Sequence, residues 1–182
     1  MSANLVCPLI HPAPTRASAP PPTFDHLFSN AQGRLLQPAM QYLNITCPQL
    51  QQLLLGTLLC TTSLTPSRRA AEAIGPFGIP PRLHTLIWDD YLAHQPDLAS
   101  KVRGLASQHC FLTDPHAELG YNLGYAMAIA WLIYQRQHML PKPDNDLASL
   151  ARIWEASYPH RGGRARDYQR AWREAQRSAA AN

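Results

Sequence analysis

Arg166, Arg170, Arg173 and Arg177 follow one another at intervals of four, three and four residues. Each residue of an α-helix advances about 100°, so this spacing puts all four guanidiniums on one face. Tyr168, Trp172, Ala175 and Ala179 fall on the opposite side. Such a helix docks through its apolar side and turns fixed positive charge outward. Guanidinium is planar and always charged, so the chemistry it offers is bidentate contact with phosphate. Arg161 and Arg164 lead into this helix beside Gly162 and Gly163, which read as a mobile hinge. Arg161, Arg164, Arg166, Arg170, Arg173 and Arg177 are therefore the candidate nucleic-acid-binding residues. Asp167 and Glu174 lie three or four residues from several of them and can form local ion pairs.

Charge along the chain agrees with this focus. Residues 1–150 carry nine Lys/Arg and nine Asp/Glu, whereas residues 151–182 carry seven Arg and three acids. The last 32 residues hold the whole formal excess of +4, an asymmetry that points to a polyanion-binding segment.

A second constellation is Ser67-Arg-Arg-Ala-Ala-Glu-Ala-Ile-Gly75. A helix-turn-helix wants a small residue in its first helix and a glycine four positions later, and Ala71 and Gly75 supply them. The recognition helix is then 82–91, so Arg68, Arg69, Arg82 and His84 become candidate DNA contacts. The intervening Pro76-Phe-Gly-Ile-Pro-Pro81 makes the turn several residues too long, and Asp89 and Asp90 would repel phosphates. Two ordinary bundle helices are the plainer expectation.

Ligand-type residues also gather around His109-Cys110, Asp114 and His116. Their spacing fits no closed zinc pattern, so no metal or other cofactor is expected. Arg103 and His109 are six residues apart, which on a straight helix sets them 240° apart and ill-placed for joint chemistry. No Gly-rich phosphate loop, Ser/His/Asp order or helical carboxylate pair occurs, and the reading leans away from an enzyme. The loop Tyr158-Pro-His-Arg161 offers an aromatic and an imidazole for a base or a partner protein.

The elements that must position these residues are helices. Leu and Ala supply 50 residues and Val only two, a balance that favours helix over strand. Charged residues are 15% of the chain, below the typical value of about 25%, so it is not a charge-driven disordered chain. Residues 8–22 contain six prolines, and residues 1–22 are expected to form a disordered Pro-rich arm. Later prolines leave helix-sized windows at 49–65, 82–95, 97–114, 116–140, 144–158 and 160–182. Thr46 and Gln49 have capping-box spacing, Asp144 or Asn145 can cap the next-to-last helix, and Gly75 can stop a short helix over 66–74. Leu147, Leu150, Ala151 and Trp154 form one core stripe; Leu98, Val102, Leu105 and Ala106 form another.

The window 114–139 reads as one helix of about seven turns, free of charge from Leu119 to Tyr134. Gly120, Gly124 and Ala128 recur every four residues, a stripe where a partner protein or second copy can approach closely. Its uncharged stretch is too short to cross a bilayer. The four cysteines are too scattered for a CxxC pair and read as free thiols, and no signal peptide is read at the N-terminus, so a cytoplasmic location is expected.

The sequence thus predicts an all-α, bundle-like domain of six to seven helices over residues 23–160, preceded by the arm and followed by a basic helix over 161–182. The expected role is that of a non-enzymatic, bacterial-type regulatory or accessory protein binding nucleic acid or a nucleoprotein complex. The alternative is a protein–protein adaptor or inhibitor that uses an apolar helix face and no nucleic acid.

Overall fold

The structure, a computed structural model, describes residues 36–180, with the side chains of residues 108–110, 179 and 180 outside that description. The arm read over 1–22 lies outside the described residues. Within them the chain is all-α: nine helices and two isolated β-bridges, with no strand.

Two helices make the centre. α1, Gln37–Tyr42, precedes α2, Pro48–Ser63. α2 starts with Pro48 in its first turn, where the missing N–H costs nothing. Cys47 rather than Thr46 is its N-cap, and the Gln49 amide donates to Pro143 O at 2.5 Å instead of folding back, so the expected capping box is absent. From Leu53 to Thr61 every α2 residue is buried. The other central helix is α7, Leu123–Arg136, buried without interruption from Tyr125 to Tyr134. Thr57 of α2 and Tyr134 of α7 are joined through their hydroxyls at 2.6 Å, which gives both buried groups a partner.

The single long helix expected over 114–139 is broken. Asp114 Oδ1 accepts the His116 and Ala117 N–H groups and makes a turn. α6 then spans only Glu118–Tyr121. Asn122 ends it with φ −102° and ψ 91°, and its Oδ1 caps α7 by accepting from Tyr125 N at 3.0 Å. The Asn122 amide donates to Leu105 O and Glu118 Oε2, both at 2.8 Å. Asn competes with a helix for backbone groups, and here it wins because every polar atom of its side chain is used.

Other helices surround this pair. α3, Pro81–Leu86, runs on through a π turn at Ile87–Tyr91 and a 3-10 turn at Leu92–His94. α4, Pro96–Leu105, and α5, Gln108–Thr113, divide the window expected to be one helix. α8, Leu147–Ser157, is capped by Asp146, which accepts from Ser149 N; Asn145 instead accepts from Lys142 N. α9, Ala165–Ala180, packs on α2 and α8 through Tyr168, Ala171, Trp172 and Ala175. No helix among the described residues is long and apolar enough to cross a membrane.

Residues 66–74 do not form the expected helix. A 3-10 turn at Pro66–Arg68 leads to a β-bridge between Arg69 and His160. A tight turn then pairs Ile74 with Ile79 through two N–H···O bonds of 3.1 Å. Gly75 has φ +70°, and a side chain there would strike the Leu119 carbonyl.

α2 and α9 approach closely because Gly56 lies under the Tyr168 ring, whose hydroxyl donates to Gln52 O and Leu53 O. Gly56→Ala puts a methyl group into that ring and should destabilise the protein by about 1–3 kcal/mol or more in urea unfolding. Gly124→Ala is the control: its methyl meets Ala39 Cβ at an ordinary 3.6 Å, and unfolding should be nearly unchanged.

Candidate functional site

Two regions concentrate chemistry. The first is the outer face of α9. Arg161, Arg164, Arg166, Arg170, Arg173 and Arg177 are all exposed. Of the three acids in this part of the chain, Asp167 is turned inward and the half-buried Glu155 is engaged by the segment that leads into α9. Asp167 is 3% exposed and receives a two-pronged contact from Arg68, at 2.5 Å and 3.2 Å, and a 3.2 Å contact from Arg170. It also accepts Arg164 N at 2.9 Å, so it satisfies a free donor at the helix start. Burial alone would raise its pKa; the hydrogen bonds from Arg68 and Arg164 N, with the charges of Arg68 and Arg170, outweigh this and hold it below the ordinary carboxylate range. Glu155 likewise lies below that range, held there first by the Ala165 N–H at 3.0 Å and then by Arg164 at 3.3 Å. Only Glu174 of the three remains on the open face.

Among the described residues, the guanidiniums of Arg161 and Arg166 have no acidic partner. Arg173 reaches Gln169 Oε1 at 3.2 Å, and Arg177 reaches Arg173 O at 3.3 Å. The lead-in differs from the mobile hinge expected. Gly163 is buried, and its N–H donates to His160 Nδ1 at 3.0 Å. His160 lies on the Trp154 ring with centroids 4.8 Å apart. Tyr158 is buried, stacked on Tyr134 and bonded to Phe77 O at 2.9 Å, so it is withdrawn from any base or partner.

The helix-turn-helix reading is not supported by the local geometry. Arg68 and Arg69 sit in the 3-10 turn and bridge, where Arg68 holds Asp167 and Arg69 donates to Thr61 O at 3.2 Å. Arg82 is exposed, but His84, expected to reach outward, is 1% exposed and points into the protein. Of the small-residue stripe, Gly120 is exposed, whereas Gly124 and Ala128 are used internally. Gly120 and Gly124 lie on either side of the Asn122 break, Gly124 faces Ala39 of α1, and Ala128 is fully buried. α7 is buried from Tyr125 to Tyr134 within the fold.

The second region is the surround of His84. His84 Nε2 lies 2.6 Å from Tyr125 Oη, and His84 Nδ1 lies 2.9 Å from His116 Nδ1. The Trp88 indole N–H donates to Tyr125 Oη at 2.8 Å and to His84 Nε2 at 3.2 Å. Burial, and then the neighbouring His116, push the His84 pKa down to about 4. Burial raises the Tyr125 phenol well above its ordinary value. Both groups are thus neutral near neutral pH. These side chains back a cavity of about 300 Å³ lined by His84, Thr85, Trp88, Asp89, Arg103, Phe111, Pro115 and His116. An adjoining hollow of about 510 Å³ shares Arg103 and Phe111. The Arg103 guanidinium lies 5.6 Å from the Trp88 ring centre and 5.9 Å from that of Phe111, within cation–π range.

No family model, curated protein or solved structure matches this chain.

Among the described residues, no group of three His, Cys, Asp or Glu side chains is placed to hold a metal. The zinc-type cluster is only partly in view: the side chains of His109 and Cys110 lie outside the described residues, while Asp114 shapes a turn and His116 meets His84. The pairing of His84 with His116 and Tyr125 was not legible from spacing, since 32 and 41 residues separate the partners. The one local sign is that His84 and Trp88 stand four apart on α3 and its continuation, and so share a face.

His84 gives stability a pH dependence of definite sign. Its folded pKa lies below the unfolded value of about 6.5, so the unfolded chain binds the extra proton. Stability from this group is complete above about pH 6.5 and is lost as pH falls toward 4. Thermal melts across that range should show a falling midpoint, with a shallower fall in His84→Gln. An unchanged slope in the variant would contradict the assignment.

Proposed function

We propose that the protein binds nucleic acid through the phosphate backbone, using Arg161, Arg164, Arg166, Arg170, Arg173 and Arg177. One observation carries the reading: α9 is fastened by its apolar side, Asp167 and Glu155 are satisfied by the fold, and six exposed arginines remain, four on α9 and two in the segment before it. The charge is fixed at all accessible pH values and held on a rigid element rather than a loose tail. Guanidinium forks fit phosphate oxygens, and an array along a helix tracks a polyanion better than one small anion.

The same surface limits the mode of recognition. The nearby aromatics Trp154, Tyr158, Tyr168 and Trp172 are all buried, so none is offered for stacking on a base. Contact with phosphates fixes position but reads no sequence. The protein therefore serves as a regulatory or accessory binder with little sequence preference of its own, its site on the nucleic acid set by shape or by a companion protein.

Point variants test this better than truncation, because removing α8 and α9 would strip Trp154 and Tyr168 from the core. Fluorescence anisotropy with labelled duplex DNA, single-stranded DNA and RNA should give affinities that fall steeply with salt. The triple variant Arg166→Ala, Arg173→Ala, Arg177→Ala should lower the log–log salt slope by about 2 to 3, near 0.7 to 0.9 for each phosphate no longer neutralised. Its thermal midpoint should stay close to that of the unaltered protein. Absence of binding at low salt, or an unchanged slope in the triple variant, would refute the proposal.

A further inference from the structure

The hydrogen bonds behind the His84 cavity fix the direction of their protons. An indole N–H can only donate, and that of Trp88 is directed at both Tyr125 Oη and His84 Nε2. His84 Nε2 therefore carries no proton, and the Tyr125 hydroxyl donates to it. The His84 proton sits on Nδ1 and is given to His116 Nδ1. With His116 Nδ1 accepting, a proton on this ring sits on Nε2, the nitrogen outside this series of bonds. His116 is presented as a donor rather than as a base, because its one free lone pair already receives the His84 proton.

Two further residues that carry donors line the same cavity, Thr85 from α3 and Arg103 from α4. Among the described residues Arg103 forms no ion pair. Donors from three separate elements suit the three oxygens of a phosphoryl group better than the two coplanar oxygens of a carboxylate. Trp88 and Phe111, with centroids 5.3 Å apart and planes tilted by 58°, supply aromatic surface beside the donors. Asp89 lies on the rim, where it disfavours a bare dianion but can accept from hydroxyl groups. The volume is at the lower end for a small-molecule site, about 300 to 1,000 Å³.

We propose that this cavity binds a phosphomonoester bearing an aromatic ring and hydroxyl groups, of the nucleoside monophosphate class. Arg103 leaves its place over Trp88 and Phe111 to take the phosphoryl group with the His116 Nε2–H and the Thr85 hydroxyl, the ligand ring takes that place against the two aromatics, and Asp89 accepts from the sugar. The site shares no residue with the arginine face of α9, so either can fail without the other.

Isothermal titration of the full chain near neutral pH, with 5′-AMP, adenosine and inorganic phosphate as probes, tests it. The expected result is saturable binding of 5′-AMP, with adenosine weaker by tenfold or more. Arg103 and Thr85 are exposed, so Arg103→Gln and Thr85→Val should melt like the parent protein. Arg103→Gln should weaken 5′-AMP by roughly tenfold or more and leave adenosine unchanged. Thr85→Val should give a smaller loss in the same direction. No saturable binding of 5′-AMP at millimolar concentration, equal affinity for AMP and adenosine, or unaltered AMP affinity in Arg103→Gln would each overturn the proposal. The triple arginine variant of α9 should bind 5′-AMP as the parent does, which separates this site from nucleic-acid binding.

Discussion

The carboxylate of Asp167 is the point on which the arrangement of the basic helix depends. It is buried, so it must be paired to stay charged. Arg68 comes from a loop 99 residues earlier in sequence, and Arg164 N and Arg170 from the helix itself. One group thus orients the start of α9, anchors the segment after α2 and fixes where the outer arginines face. Arg68 donates as well to Gly162 O, and its own carbonyl accepts from Arg161 N, so the lead-in is laced to the same loop. The acid that the sequence places among the arginines as a local neutraliser is spent on tertiary structure.

The two regions of interest use polarity in opposite ways. On α9 the groups are charged, wet and separated, and their effect is a field that salt screens. Around His84 the side chains bond one another in series, with His84 and Tyr125 buried and Trp88 and His116 partly so, and their effect is direction. Burial of a polar chain is tolerable only when every member has a partner, and here the indole, phenol and two imidazoles satisfy one another in order. The π turn that follows α3 lies beside this chain and carries Trp88 and Asp89, in keeping with the tendency of such turns to mark functional positions.

Helix content was legible because composition and proline spacing act locally. So was the apolar side of α9: Tyr168, Trp172 and Ala175 are buried as their phase requires. The stripe Leu150, Ala151 and Trp154 on α8 is buried too. Breaks were less visible. Asn122 ends a helix only because Leu105 O and Glu118 are there to bond it, and those partners come from tertiary packing. His84 was read outward as part of a recognition helix, although its neighbours on the same face, Pro80, Pro81, Ile87 and Trp88, are apolar; its polar partners Tyr125 and His116 arrive from elsewhere. Residues 66–74 carried a helix-compatible pattern with Gly75 as its stop, but the Arg69–His160 bridge and the packing of Gly75 against Leu119 belong to long-range order.

The inward use of Asp167 has a consequence for how such a chain can change over generations. The side chains that hold α9 in place, Tyr168, Ala171, Trp172, Ala175 and Asp167, are all buried. The side chains that set its outer charge are all exposed. Apart from Arg164 and Arg170, which meet Glu155 and Asp167, substitutions of the second kind are nearly silent for folding, since exposed positions without special contacts usually shift stability by no more than about 0.5 kcal/mol. Selection can therefore raise, lower or redistribute the charge on this helix one residue at a time, while the scaffold beneath it is inherited unchanged.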